Sequence, residues 1–114
     1  MFDLRTLLTA SLFSVVAFNA FAAAPAKPTN LVAVAASGTQ VNLSWTDSAS
    51  DETGFELERR PSTTSTFSLI ATLSSNATSY ADSASLTAGT KYYYRIRSFN
   101  TSKSAYSSSA YTTT

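Results

Sequence analysis

The sequence predicts an all-β domain in which seven short strands form a sandwich of two sheets. Apolar and polar residues alternate in several runs, as they do in strands that have one buried face. Turn-forming residues separate these runs at short intervals. No amphipathic helix of useful length lies between them. Short strands at this spacing are typical of two packed antiparallel sheets.

Period-two alternation marks the strands one after another along the chain. The clearest runs are residues 31–35, 41–45, 55–57 and 92–96. Shorter strands are predicted around Ile70, around Tyr80 and near the end of the chain. Segments rich in Ser, Thr, Asn, Asp and Gly separate the runs: 37–39, 47–54, 61–66, 74–76, 87–89 and 100–103. We predict that the inward positions form one core: Leu31, Val41, Leu43, Trp45, Phe55, Leu57, Ile70, Tyr80, Leu86, Tyr92, Tyr94 and Ile96.

The N-terminal residues have the features of a secretory signal peptide. Residues 7–18 are mostly apolar, but this run is shorter than the roughly 20 residues that a bilayer span needs. Ala20-Phe21-Ala22 follows, with the small-x-small pattern of a signal peptidase site. We expect a signal peptide at 1–23, a short lead-in at 24–27 and the folded domain at 28–114. The product would be secreted, either periplasmic or extracellular, with no membrane span in the mature chain.

Composition excludes several classes of function. The 114 residues include no His and no Cys, which removes disulfides, thiol nucleophiles and the commonest zinc ligands. Charged residues make up only 13% of the chain and the formal net charge is +1, so nothing favours binding to nucleic acid. An enzyme would have to use carboxylates, Lys, Tyr or Ser instead. We expect a monomer that is not an enzyme and that holds no cofactor and no metal.

Five segments resemble parts of a fibronectin type III domain, in the form found as a module of bacterial secreted enzymes. They are Pro28–Leu31, Val41–Trp45, Glu52–Arg59, Leu86–Ile96 and Ser104–Ser107, the last resembling the start of the final strand. Together they extend over nearly the whole chain after the leader, in the order and spacing of that family. The resemblance implies a seven-stranded immunoglobulin-like sandwich, and a non-catalytic role as a binding or spacer module.

A tyrosine corner is predicted just before the sixth strand, from Leu86, Gly89 and Tyr92. In this motif a tyrosine hydroxyl forms a hydrogen bond with the backbone a few residues upstream and so fixes a turn that crosses between sheets. Gly89 would allow the positive φ that such a turn requires.

The outward positions of the sixth strand give the best candidate binding site. Tyr93, Arg95, Arg97 and Phe99 alternate there, and Tyr106 and Tyr111 lie close to the neighbouring seventh strand. Aromatic rings beside arginines could stack on sugars or contact a protein partner. The alternative is structural, with the rings covering the arginine stems.

Two carboxylates on the third strand have alternative explanations. Glu56 and Glu58 lie on the same side of the strand. The rise per residue of a strand places them about 7 Å apart, and such a pair could act in glycoside hydrolysis. The third strand of this fold adjoins the sixth, so cross-strand pairing with Arg95 and Arg97 explains all four residues better.

An acidic loop follows Trp45 and contains Asp47, Asp51 and Glu52. Their oxygens could bind Ca²⁺. However, the spacing is not that of an EF-hand, and Ser- and Asp-rich loops are ordinary turn chemistry.

These observations predict an exported binding or adhesion module that recognises a cell-surface or secreted protein. Recognition would use the face formed by the third, sixth and seventh strands, or an exposed sheet edge. The alternative is an accessory carbohydrate-binding or spacer module that works with a separate polysaccharide hydrolase.

Overall fold

A computed structural model describes residues 23–114 of the chain, so the predicted signal peptide lies outside the described residues except for Ala23. The described part contains these strands: β1 (Thr29–Ser37), β2 (Gln40–Thr46), β3 (Gly54–Pro61), β4 (Ser68–Ser74), β5 (Ser79–Asp82), β6 (Lys91–Phe99) and β7 (Ala110–Thr113). The predicted all-β class with seven strands is confirmed. Within residues 23–114, no helix is long and apolar enough to cross a membrane.

The strands form two antiparallel sheets that pack face to face. The three-stranded sheet has the order β1-β2-β5, and the four-stranded sheet has the order β4-β3-β6-β7. Strands β3 and β6, which are far apart in the sequence, are neighbours in the centre of the four-stranded sheet, with Gly54 opposite Phe99 and Pro61 opposite Tyr92. The outward side chains of these two central strands therefore share one surface.

The core lies between the sheets and consists of the inward positions of β2, β3 and β6. Its buried members are Val41, Leu43, Trp45, Phe55, Leu57, Tyr92, Tyr94 and Ile96. The other four predicted core residues are partly buried and pack against this cluster: Leu31, Ile70, Tyr80 and Leu86. The rings of Trp45 and Phe55, from opposite sheets, meet at 5.9 Å between centroids. Aromatic contact across the sheets adds to the gain from burying apolar area.

The predicted tyrosine corner is present between β5 and β6. The backbone N–H of Thr87 donates a hydrogen bond to the Tyr92 hydroxyl at 2.8 Å. Gly89 has φ +72°, in the left-handed region that glycine enters without a steric penalty. The C-terminus also contacts this turn, because the Thr114 backbone N–H donates to the Thr90 carbonyl at 3.0 Å. The corner thus fixes both the start of β6 and the end of the chain.

A buried ion pair connects the two sheets beside the core. Arg59 on β3 points inward, and its Nη1 contacts both carboxylate oxygens of Asp82 on β5, at 2.8 and 3.0 Å. The Tyr94 hydroxyl donates to the same carboxylate at 2.7 Å. Asp82 is completely buried, and burial together with this carboxylate raises the pKa of Tyr94. Two donors from the four-stranded sheet thus satisfy one acid of the other sheet.

The sequence predicts the start of the last strand at Ser104–Ser107, but β7 begins only at Ala110. Serine side chains replace part of the regular backbone pairing. The backbone N–H groups of Ser98 and Ile96 donate to the hydroxyls of Ser104 and Ser107, at 3.0 and 3.2 Å. Both serines are buried, so the residues between them are held against β6.

The N-terminal segment ahead of β1 packs on the sandwich. Pro25 is buried, and the Ser98 hydroxyl donates a hydrogen bond to the Ala26 carbonyl at 2.7 Å. Asn100 Nδ2 reaches the Ala23 carbonyl at 3.1 Å. This end of the domain therefore consists of residues 23–26 together with the loop after β6.

The Tyr92→Phe substitution tests the tyrosine corner. We expect it to lower the free energy of unfolding by about 1 kcal/mol or more, because the Thr87 N–H loses its acceptor. Urea denaturation measures this change. Tyr80→Phe is the control, since the Tyr80 hydroxyl makes no hydrogen bond within residues 23–114. Equal stability of the parent and Tyr92→Phe would contradict a stabilising role for the corner.

The Asp82→Ala substitution tests the ion pair between the sheets. Removing the carboxylate leaves the Arg59 charge and the Tyr94 hydroxyl without their partner. We expect a loss of about 3 kcal/mol, at the low end of the range for a broken buried pair, because the Arg59 side chain keeps 17% exposure. Denaturation of Asp51→Ala, a change in an exposed loop, provides the comparison. A loss no larger than that of Asp51→Ala would show that the pair does not stabilise the sandwich.

Candidate functional site

The outward side of the four-stranded sheet carries a cluster of cations and rings, which we call the cation–aromatic face. It comprises Glu56, Glu58, Arg60, Phe67, Lys91, Tyr93, Arg95, Arg97, Lys103, Tyr106 and Tyr111. Alternation along β6 creates it, because every second residue of that strand is buried and the others point away from the core. The central strands place Glu56 opposite Arg97 and Glu58 opposite Arg95.

Both carboxylates of the face are paired with cations, as the sequence predicts. Arg95 Nη2 lies 2.7 Å from Glu58 Oε1, and Arg97 Nε lies 2.9 Å from Glu56 Oε1. Lys103 Nζ, which comes from the loop after β6, lies 3.0 Å from Glu56 Oε2. The hydrogen bond from Lys103 and the one from Arg97 lower the pKa of Glu56, against the opposing effect of burial. The two acids therefore belong to ion pairs across the sheet.

Aromatic rings stack on the same arginines. The Arg95 guanidinium carbon lies 3.8 Å from the Tyr106 ring centroid and 4.3 Å from that of Phe67. Arg97 lies 4.5 Å from the Tyr106 ring. The Tyr106 hydroxyl donates to Glu58 Oε2 at 2.8 Å, and burial together with this carboxylate raises the pKa of Tyr106. The buried hydroxyls of Ser104 and Ser107 hold the chain on either side of Tyr106, so the ring has a fixed position.

A second stack lies further along the face, toward the tyrosine corner. The Arg60 guanidinium carbon is 4.0 Å from the Tyr93 ring centroid and 5.3 Å from that of Phe67. The Tyr93 and Tyr111 rings meet at 5.6 Å between centroids. Lys91 Nζ lies 4.2 Å from the Tyr111 centroid. Cation–π contacts of this kind orient long side chains that would otherwise move freely.

The structure places four of the five predicted binding residues in these two stacks, which the Phe67 ring joins: Tyr93, Arg95, Arg97 and Tyr106. Phe99 lies at the end of β6 and covers the backbone of Gly54, where an added Cβ would come within 3.1 Å of its ring. No cation lies over the Phe99 ring among the described residues. Phe99 therefore fills the space left by the missing side chain of Gly54, next to the stacks.

Sequence reasoning missed four members of the face: Arg60, Phe67, Lys91 and Lys103, the last coming from the loop after β6. Arg60 and Lys91 occupy outward positions in the alternation of their strands, so the alternation alone could have identified them. Phe67 follows a Ser- and Thr-rich turn without any alternation, and nothing in the sequence indicates that its ring lies between two arginines.

Two acidic side chains of the loop between β2 and β3 accept hydrogen bonds from backbone N–H groups. Glu52 accepts the Asn76 N–H at 2.9 Å, and Asp47 accepts the Ala49 N–H at 3.1 Å. Burial alone would raise the pKa of Glu52, but the Asn76 bond and the contact with Asp47 lower it. Within residues 23–114, no group of three or more acidic side chains is placed to hold a metal ion.

Comparison with known proteins identifies the family. The family model of the fibronectin type III domain matches residues 26–114. An Fn3-like protein from Clostridium thermocellum is 33% identical, with a TM-score of 0.65 over 78% of this chain and 92% of that one. Domains A168–A170 of titin give 25% identity and a TM-score of 0.69 over 79% of this chain, which spans only 32% of that longer structure. A search of curated proteins finds no match.

The chain therefore belongs to the fibronectin type III family, and the resemblance found in the sequence is confirmed. The FN3 domain of human collagen XX, at 22% identity, shares the fold with a TM-score of 0.65 over 86% of this chain and 99% of that one. Domains of this family are generally non-catalytic modules that bind partners or act as spacers.

The pH dependence of Glu56→Gln tests the ion pairs of the face. Because pairing depresses the pKa of Glu56 below its ordinary value of 4.5, its stabilising effect is present above that value and is lost as pH falls through the lower, folded-state pKa. We expect the variant to be less stable than the parent by about 1 kcal/mol at pH 7, with the difference shrinking below about pH 4. Urea denaturation across this range checks it, with Asp51→Asn as control. A difference that stays constant with pH would contradict the pairing.

Proposed function

We propose that the protein is an exported, non-catalytic binding module whose partner docks on the cation–aromatic face. The observation that carries this proposal is the stacked arrangement of that face. Its arginines are held against rings or carboxylates before any partner arrives, which reduces the side-chain entropy that binding would otherwise cost. Rings and arginines are also the residue types that dominate binding energy at protein interfaces. Export is proposed from the features of residues 1–23.

The opposite surface of the sandwich provides a contrast. The outward side of the three-stranded sheet bears Val32 and Val34, which are 48% and 56% exposed. Strand β1 itself carries no charged residue. Strand β1 lies at the edge of its sheet, so its backbone could pair with an extended segment of a partner through hydrogen bonds. Among residues 23–114, this surface has none of the ion pairs or stacked rings that give the other face its fixed geometry, so we favour the cation–aromatic face.

A capture experiment tests the proposed function. Protein purified from cells that express the full chain is immobilised and exposed to the producing cell's envelope and secreted fractions, with binding to chitin and cellulose measured in parallel. We expect a partner to be retained by the parent and lost with Tyr93→Ala/Phe99→Ala. Tyr93 is part of a stack and Phe99 covers Gly54, so both losses lower stability. Thermal unfolding must therefore show that the variant is folded at the assay temperature.

Val32→Ala/Val34→Ala is the matched control, because it removes two exposed apolar side chains from the opposite sheet. Retention by this control, together with loss in the Tyr93/Phe99 variant, supports the proposal. Loss only in the valine variant would move the binding site to β1. A domain that retains nothing from any fraction would contradict a binding function and favour a spacer. Retention of chitin or cellulose alone would favour an accessory carbohydrate-binding module.

A further inference from the structure

The cation–aromatic face is unevenly neutralised along its length. Glu56 and Glu58 both lie in the half that contains Arg95, Arg97 and Lys103, and they form ion pairs with these cations. The other half contains two more cations, on β3 and β6, and no carboxylate lies within ion-pair distance of either among the described residues. The positive charge of the face is therefore least compensated at the end next to the tyrosine corner.

The two uncompensated cations are Arg60 and Lys91. Arg60 Nη1 donates to the Thr64 carbonyl at 2.8 Å, while its Nε is buried without a hydrogen-bond partner in residues 23–114. Lys91 Nζ makes no hydrogen bond or ion pair within the same range, and contacts only the rings of Tyr93 and Tyr111, at 5.2 and 4.2 Å. Both cations are thus positioned by aromatic rings and still lack an anionic partner.

Arg60 and two tyrosine rings form a row across three strands. Arg60, Tyr93 and Tyr111 lie directly opposite one another on β3, β6 and β7. Because adjacent strands are about 5 Å apart, the row extends about 10 Å across the sheet, comparable to the length of two sugar units. Tyr111 is 60% exposed, and neither tyrosine hydroxyl of the row makes a hydrogen bond within residues 23–114.

We propose that Arg60, Lys91, Tyr93 and Tyr111 form a subsite for a negatively charged sugar unit of an acidic polysaccharide. The cations would receive its carboxylate or sulfate group through charge-assisted hydrogen bonds. The exposed Tyr111 ring offers an apolar surface to the sugar ring, and the free hydroxyls offer polar contacts to its substituents. This inference rests on the proposed function and names the class of ligand that its binding face takes.

The charge count favours an acidic glycan over a nucleic acid. Two uncompensated cations suit isolated anionic groups on a polymer. Proteins that bind duplex DNA mainly through its backbone neutralise on the order of 6–10 phosphates. The formal net charge of the whole chain is only +1, so the protein as a whole creates little general attraction for polyanions. Affinity for an anionic polymer would therefore have to arise at this local site.

Binding of defined polymers tests the subsite. Protein purified from cells expressing the full chain is titrated with polygalacturonate, dextran sulfate and neutral dextran at low ionic strength. We expect binding to at least one anionic polymer, weakening as salt is added, and no binding to dextran. Lys91→Gln should weaken that binding about tenfold, as expected for a lost hydrogen bond between charged groups. The two anionic polymers distinguish a carboxylate from a sulfate ligand.

Lys27→Gln is the matched control, because it makes the same change in net charge outside the face. An affinity that falls for Lys91→Gln and not for Lys27→Gln supports the subsite, as does weaker binding by Tyr111→Ala. Equal losses in the two lysine variants would show general charge attraction and overturn the proposal. So would equal binding to dextran, or no binding to any of these polymers. If an envelope partner is nevertheless captured and requires Tyr93 and Phe99, the binding function stands and only the ligand class is wrong.

Discussion

The register of β6 is the constraint on which both the core and the cation–aromatic face depend. Inward residues Tyr92, Tyr94 and Ile96 are buried between the sheets, and the residues between them build the cation–aromatic face. A shift by one residue would exchange the two sets and bury arginines in the core. The tyrosine corner fixes this register at the start of the strand, through the bond between the Thr87 N–H and Tyr92. One turn thus determines which side chains of β6 face outward.

The predictions that succeeded follow from strand parity and local turn chemistry. Alternation identified the inward residues, and the facing of Glu56 and Arg97 followed once β3 and β6 were expected to be neighbours. Gly89 and Tyr92 were recognisable because a corner of this kind needs a positive φ and a hydroxyl a few residues away. Each of these inferences uses information within a few residues, together with one neighbour relation supplied by the family resemblance.

The features that were missed depend on contacts between distant segments. Arg59 occupies an inward position, as Phe55 does. Its partner Asp82 looks like an ordinary turn residue in the sequence, and the two side chains meet only when the sheets pack. Phe67 reaches the face from a turn that has no periodicity. Ser104 could not be distinguished from the many other serines of the chain, although its hydroxyl accepts the backbone N–H of Ser98 on β6, where a regular neighbouring strand would supply a carbonyl. Pairing partners of this type require the tertiary arrangement.

The bond between Ser98 and Ala26 joins residues 72 positions apart, and it has a consequence for the rate of folding. The central pairing of β3 with β6 also connects distant segments. Chains whose contacts are mainly non-local fold in milliseconds to seconds, because large loops must close before those contacts form. Nothing covalent shortens these loops, since the chain has no cysteine. The attachment of the N-terminal segment to β6 is therefore one of the contacts that require a large loop to close.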